Sequence, residues 1–141
     1  MKERDELIEK VLRKANPNLN VFIVDDSELA RLKMERLVVS FGWRVVGQAA
    51  DGEAPIEQFE KSHSEIDLVT LDIQMPVMDG LECLEEMLRI DPAARIIMVT
   101  SDGHLDTVKK AMTMGAKHFI VKPYERLKVM EAMLSVMKKK P

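Results

Sequence analysis

Short apolar runs rich in β-branched residues alternate along the chain with longer segments whose apolar residues recur at helical spacing. The runs at 21–24 (Val-Phe-Ile-Val), 44–48, 66–71, 95–100 and 117–121 predict five strands, and the periodic segments at 28–41, 53–62, 81–90, 105–114 and 124–138 predict five helices. Consecutive apolar residues, rather than strict alternation, mark strands covered on both faces. The pattern therefore predicts a parallel sheet between two layers of helices. Gly42 and Gly115 fall just past two of the helices, where a left-handed residue closes the last turn. Ahead of the repeat, Leu7, Ile8, Val11, Leu12 and Ala15 trace one face of a short amphipathic helix that Pro17-Asn18 ends. The expected organisation is an N-terminal helical extension, residues 1–19, and one α/β domain, residues 20–141. Whether the extension packs on the domain or on a partner is left open.

Composition narrows the class. At 141 residues the chain has room for one core. With 46% apolar and 32% charged residues it reads as a globular protein. No apolar run approaches the ~20 residues of a membrane span, and the mixed charges of Met1 to Glu6 do not resemble a secretory signal, so the cytoplasm is the expected location. Cys83 is the only cysteine, which excludes an intrachain disulfide and makes it a small core residue. A net charge of −3 with dispersed basic residues gives no footprint for nucleic acid, and Lys138-Lys139-Lys140 is a helix end carrying favourable charge. Leu127, Met130, Leu134 and Met137, with Met133 beside them, form a stripe expected to be core.

Open α/β sheets place their chemistry beyond the carboxyl ends of the strands. Asp25-Asp26-Ser27 follows the first strand, Asp72 the third, Thr100-Ser101 stands at the end of the fourth with Ser101 beyond it, and Lys122-Pro123 follows the fifth. The second strand offers nothing comparable. Singly each residue has an ordinary role: Asp26 or Ser27 as a helix N-cap, Asp72 as a loop polar group, Thr100 as a strand residue, Lys122 as a surface charge. Together they bring three carboxylates, a hydroxyl and an ammonium to one edge. Each carboxylate pair at ~4 Å costs on the order of 4 kcal/mol at an effective dielectric near 20. A divalent cation relieves that cost, and an all-oxygen, partly open site suits Mg2+, whose shell accepts phosphate oxygens. Lys122 would supply a point charge and Thr100 a donor to such an oxyanion.

The segment Asp72-Ile73-Gln74-Met75-Pro76-Val77-Met78-Asp79-Gly80 resembles the loop after the third strand of response-regulator receiver domains, with the phosphoacceptor aspartate first. Asp25-Asp26 resembles the family's acidic pair, Thr100-Ser101 its switch hydroxyl and small neighbour, and Lys122-Pro123 its lysine and cis-bonded proline. The resemblance spans about residues 20–138. It implies a flavodoxin-like, doubly wound sheet of order 2-1-3-4-5 with five helices. It also implies a switch in two-component or phosphorelay signalling, standing alone as chemotaxis regulators do. Asp72 would take a phosphoryl group from phosphohistidine on a sensor histidine kinase or histidine phosphotransfer protein. Asp26, Asp72 and the carbonyl of Gln74 would bind Mg2+ directly, and Asp25 through water. Thr100 and Phe119 would be the moving switch pair, and Gln74 and Asp102 the variable positions that tune the lifetime of the aspartyl phosphate.

The same resemblance makes the fourth helix, fifth strand and fifth helix of the repeat the output face toward a protein target, with a phosphorylation-linked homodimer left open. Direct nucleic-acid binding and membrane insertion are not implied. Such a protein catalyses only its own phosphorylation and dephosphorylation. Pro55 departs from the pattern and is accommodated if it is the first residue of its helix. His63, His104 and His118 have no metal-ligand spacing. Two other classes are weaker. A pseudo-receiver would lack an acidic or lysine position, and a haloacid-dehalogenase-type phosphatase would carry Asp-x-Asp after its first strand. Nucleotide binding lacks its glycine loop. Trp43, the single tryptophan, is an expected fluorescence reporter of the site.

Overall fold

The computed structural model describes residues 2–15, 18–51, 54–101 and 104–138. In chain order the elements are α1 (Lys2–Ala15), β1 (Asn20–Val24), α2 (Glu28–Ser40), β2 (Arg44–Ala49), α3 (Ala54–Ser62), a 3-10 turn (His63–Glu65), β3 (Leu68–Asp72), α4 (Gly80–Ile90), β4 (Ile96–Ser101), α5 (Leu105–Met114), β5 (His118–Lys122) and α6 (Arg126–Lys138). All strands are parallel, in the order β2-β1-β3-β4-β5. The predicted helices of the repeat are thus α2 to α6, and the extension is α1.

Apolar neighbours within a strand serve opposite faces of the sheet. Val21 and Ile23 join Ile97, Val99 and Ile120 in a core beneath α2 and α6. Phe22 and Val24 join Val69, Leu71, Ile96 and Met98 in a second core beneath α3, α4 and α5. Burial of every residue of β3 and of the first five of β4 is the physical reason those stretches read as unbroken hydrophobic runs. Most of the α6 stripe is core as expected: Met130, Met133 and Leu134 are fully or almost fully buried and Met137 packs against them, while Leu127 is only half-buried. Gly42 at φ +87° and Gly115 at φ +128° take the positive-φ conformation their positions demand.

Several boundaries shift. Asp72, Ser101 and Lys122 are the last residues of their strands rather than residues beyond them. They therefore keep ladder partners, Asp72 opposite Val99 and Ser101 opposite Lys122, and are held more rigidly than loop residues. Pro55 is the second residue of α3, still in the first turn, where a missing N–H breaks no helical bond. The expected start of that helix at Glu53 lies outside the described residues, as do Asp102 and Lys139-Lys140.

The extension packs on the domain, against α6. Its anchor is polar: Arg126 Nη1 donates to Glu9 Oε1, and Glu9 is 7% exposed. The same guanidinium donates from Nη2 to the Ser40 carbonyl at 3.1 Å and lies 5.1 Å over the Phe41 ring, so one residue ties together α1, α2 and α6. Leu7 and Val11 of the anticipated apolar face point to solvent, while the side chains of Leu12 and Ala15 lie outside those described. Glu9→Ala leaves the pair unmade, and we expect it to lower the unfolding free energy by about 1–2 kcal/mol, discounted because Arg126 is partly exposed. Hydrogen exchange resolved by residue checks this, with α1 amides exchanging faster than those of β1.

Candidate functional site

Parallel register sets the geometry. Val24 pairs with Leu71, so Asp25, one residue beyond, stands level with Asp72. Ser27 caps α2 through its side chain, accepting from Ala30 N at 3.2 Å, and Asp25 Oδ1 accepts from Ser27 N at 2.9 Å. With the cap supplied by Ser27, both preceding aspartates are free to face the sheet edge. Oxygens of Asp25, Asp26 and Asp72 all lie within 4.8 Å of one another. Asp25 and Asp72 are buried, at 6% and 7% exposure, while Asp26 is open to solvent.

Lys122 Nζ donates to Asp25 Oδ2 at 3.2 Å, so the lysine reaches the cluster as expected. Gln74 N lies 3.4 Å from Asp72 Oδ1, which brings the start of the β3–α4 loop against the Asp72 carboxylate. Thr100 is 2% exposed, and its hydroxyl donates to the Ser101 carbonyl at 3.1 Å. It is at the expected strand end and bonded to its own backbone. Phe119, opposite Met98 on β5, is half-buried against the second core. Lys122-Pro123 is cis. Asp25, Asp26, Asp72, Thr100 and Lys122 therefore share one edge of the sheet, with Phe119 three residues back from it along β5.

Burial, and then the Asp25 carboxylate, push the Asp72 carboxyl from its ordinary 3.8 up to about 7, against the opposing pull of Lys122 and of the Gln74 N–H. Burial and the same Asp25 charge also push the Tyr124 phenol up. A carboxylate held this unwilling to ionise, with two others alongside, fits a divalent cation: all donors are hard oxygens, and one side is open to water. A cation held by an Asp72 oxygen would compete with its proton, so we expect Mg2+ affinity measured by calorimetry to rise with pH by about tenfold per unit below about pH 7 and to level off above it. Cys83, fully buried with its thiol pushed up to about 12 by burial first and then by Asp51 and Glu86, is the inert core residue expected.

Three contributors escaped the sequence reading. Arg31 Nη1 donates to the Asp25 carbonyl at 2.6 Å and braces the acidic pair from within α2. Gly80 opens α4 so close to the strand end that a Cβ there would lie 2.4 Å from the Asp72 carbonyl oxygen and 2.6 Å from Ile73 Cα. The second strand also contributes, contrary to expectation: just past it, Asp51 accepts from Val77 N at 2.8 Å and Met78 N at 3.0 Å. The predicted strand stopped at Gln48, which hid how near Asp51 lies to the same edge. Trp43, by contrast, directly precedes β2 at the opposite end of the sheet, edge-on to Phe41 at 5.1 Å, and is not a reporter in contact with the site.

A parallel sheet whose carboxyl edge gathers an acidic triad, a facing lysine and a threonine at the adjoining strand end defines the receiver class of α/β domain. The response regulator receiver domain family matches residues 21–134, and the chain belongs to that family. It is similar to the chemotaxis protein CheY of Treponema pallidum, 40% identical over 118 residues that make up 84% of this chain and 82% of that one. The CheY of Bacillus subtilis is 44% identical over 112 residues, 79% of this chain and 92% of the other. Among solved structures it superposes on a chain of the CheX-CheY-BeF3-Mg+2 complex of Borrelia burgdorferi with a TM-score of 0.82 and 41% identity, covering 86% of this chain and 90% of that chain. The protein is thus a response regulator receiver of two-component signalling, similar to chemotaxis regulators. Among the described residues no helix is long and apolar enough to cross a membrane.

Proposed function

We propose that this domain is a phosphorylation switch in which Asp72 accepts a phosphoryl group from phosphohistidine on a sensor histidine kinase or a histidine phosphotransfer protein. The observation that carries the reading is the clustering of three carboxylate oxygens within 4.8 Å around a buried Asp72. A carboxylate oxygen of Asp72 attacks phosphorus, the N–P bond of the donor breaks, the imidazole leaves with the electron pair, and an acyl phosphate remains. Asp26, Asp72 and the Gln74 carbonyl would hold Mg2+, with Asp25 acting through water. The metal's contribution is charge neutralisation between an anionic nucleophile and an anionic donor. Lys122 holds Asp25 in place and offers a cation to an incoming phosphoryl oxygen. Water later hydrolyses the acyl phosphate, so the protein catalyses its own modification and its reversal and turns over no separate substrate.

The signal passes through Thr100 and Phe119. A phosphoryl group adds about −1.5 to −2 charge and draws the Thr100 hydroxyl away from the Ser101 carbonyl, and Phe119 repacks into the space released. Lacking a hydroxyl, Phe119 distinguishes its two positions by packing alone, with a coupling of roughly 1–3 kcal/mol. The face read by a downstream protein target is α5, β5 and α6, where a groove of about 660 Å³ runs past His118, Phe119, Tyr124 and Lys128. The partners are proteins of a cytoplasmic relay rather than nucleic acid. Incubation with acetyl phosphate and Mg2+, read by intact-protein mass spectrometry, tests the chemistry. One phosphoryl adduct on the native chain and none on Asp72→Asn is the expected result; an unlabelled native chain, or labelling untouched by the substitution, overturns it.

A further inference from the structure

The seven residues between β3 and α4 have no helix or strand of their own, yet they carry Gln74, whose carbonyl the proposed function assigns to the metal. A ligand on an irregular loop is only as well placed as the loop is held. One end is fixed by Gly80, whose N–H donates to the Ile73 carbonyl at 2.8 Å, and by Asp79, whose side chain accepts from Glu82 N at 2.9 Å to cap α4. The middle of the loop, at Val77 and Met78, is held from another part of the chain. The Asp51 carboxylate receives both amides, one on each oxygen, at 2.8 and 3.0 Å. Val77 is 77% exposed and, of this pair, only Met78 packs against the second core, so side-chain packing alone leaves the path of the Val77 backbone to these hydrogen bonds. A bidentate carboxylate on consecutive N–H groups is charge-assisted and directional, and it dictates where the loop backbone runs.

We propose that Asp51 is a positioning residue for the metal and phosphoryl site: it clamps the β3–α4 loop to the end of β2, so that the Gln74 carbonyl is in place before the cation arrives. This rests on the reading of Asp72 as acceptor and Gln74 as ligand. Asp51 touches neither metal nor phosphate in this role.

The test is Mg2+ binding by calorimetric titration, with the Mg2+ dependence of Asp72 labelling by acetyl phosphate beside it, in the native chain, Asp51→Asn and Asp51→Ala. Loss of the clamp raises the half-saturating Mg2+ concentration by ~10-fold in Asp51→Ala, with the maximal rate recovered at high Mg2+. Asp51→Asn retains one oxygen acceptor and shifts it by only ~3-fold. That ordering is the signature of hydrogen bonding, because the loss of a nearby negative charge is identical in both variants. Equal shifts in the two variants, or an Asp51→Ala whose half-saturation is unchanged, overturn the inference while leaving the acceptor role of Asp72 intact. If Asp51→Ala does not fold, an Asp51→Asn indistinguishable from the native chain overturns it equally. A native chain that takes no phosphoryl group at any Mg2+ concentration instead removes the reading on which the inference rests.

Discussion

Asp72→Asn is expected to abolish phosphoryl uptake and, in Mg2+-free buffer at about pH 8, to stabilise the fold by about 2–4 kcal/mol. Both effects come from the same packing. Asp72 is 7% exposed beside Asp25, and its carboxyl is pushed up to about 7 from 3.8. Between those two values the folded protein binds a proton that the unfolded chain has released. Stability contributed by the protonated form is therefore present at low pH and is lost as pH rises towards 7. Above that the native protein bears the full cost of a buried carboxylate, which the neutral amide avoids. Urea unfolding across pH reads the difference directly: the advantage of the variant shrinks towards about pH 4 and closes again when Mg2+ is added to the native chain. A variant equal to native at pH 8 without metal would mean that Asp72 is solvated there, and the site would lose its reason to recruit a cation. The trade of stability for a reactive carboxylate is the expected behaviour of a group placed for chemistry rather than for packing.

Gly80→Ala is expected to destabilise the protein by about 2–3 kcal/mol and to weaken Mg2+ binding with it. The added methyl would meet the Asp72 carbonyl oxygen at 2.4 Å, Ile73 Cα at 2.6 Å and the Ile73 carbonyl oxygen at 3.0 Å. All three are backbone, so no rotamer change relieves the overlap. Either α4 moves out, losing the Gly80 N–H bond to Ile73, or the end of β3 moves and takes Asp72 with it. An Ala is ordinarily the better helix former, so propensity alone predicts the opposite sign. Chemical denaturation for stability and calorimetric titration for Mg2+ separate the two consequences. A stabilised Gly80→Ala with native metal affinity would show that the helix and strand approach less closely than this geometry requires.

Reading the strand ends in sequence sufficed to bring Asp25, Asp26, Asp72, Thr100 and Lys122 together, because parallel strands all deliver their last residues to one edge. The residues that brace them were harder to see. Asp51 looks like any acidic loop residue, and its partners at Val77 and Met78 are 26 and 27 positions away. Arg31 looks like an exposed helix charge, and Gly80 like an ordinary helix start. Their roles consist of distances between segments, and nothing in local spacing encodes those. The extension shows the same limit in another form. Its apolar positions were legible as a helix face, yet the contact that ties it to the domain among the described residues includes a polar one, Glu9 meeting Arg126 across 117 positions, while Leu7 and Val11 face water.

Periodicity and order along the chain determined the parallel five-stranded sheet, the two helical layers and the edge at which chemistry collects, because burial on both faces and chain direction are properties of consecutive residues. Tertiary structure alone decided how strongly Asp72 resists ionisation, which way the Thr100 hydroxyl turns, and what holds the β3–α4 loop and the N-terminal helix in place. Those depend on desolvation and on contacts closed between distant segments, which exist only once the sheet has assembled.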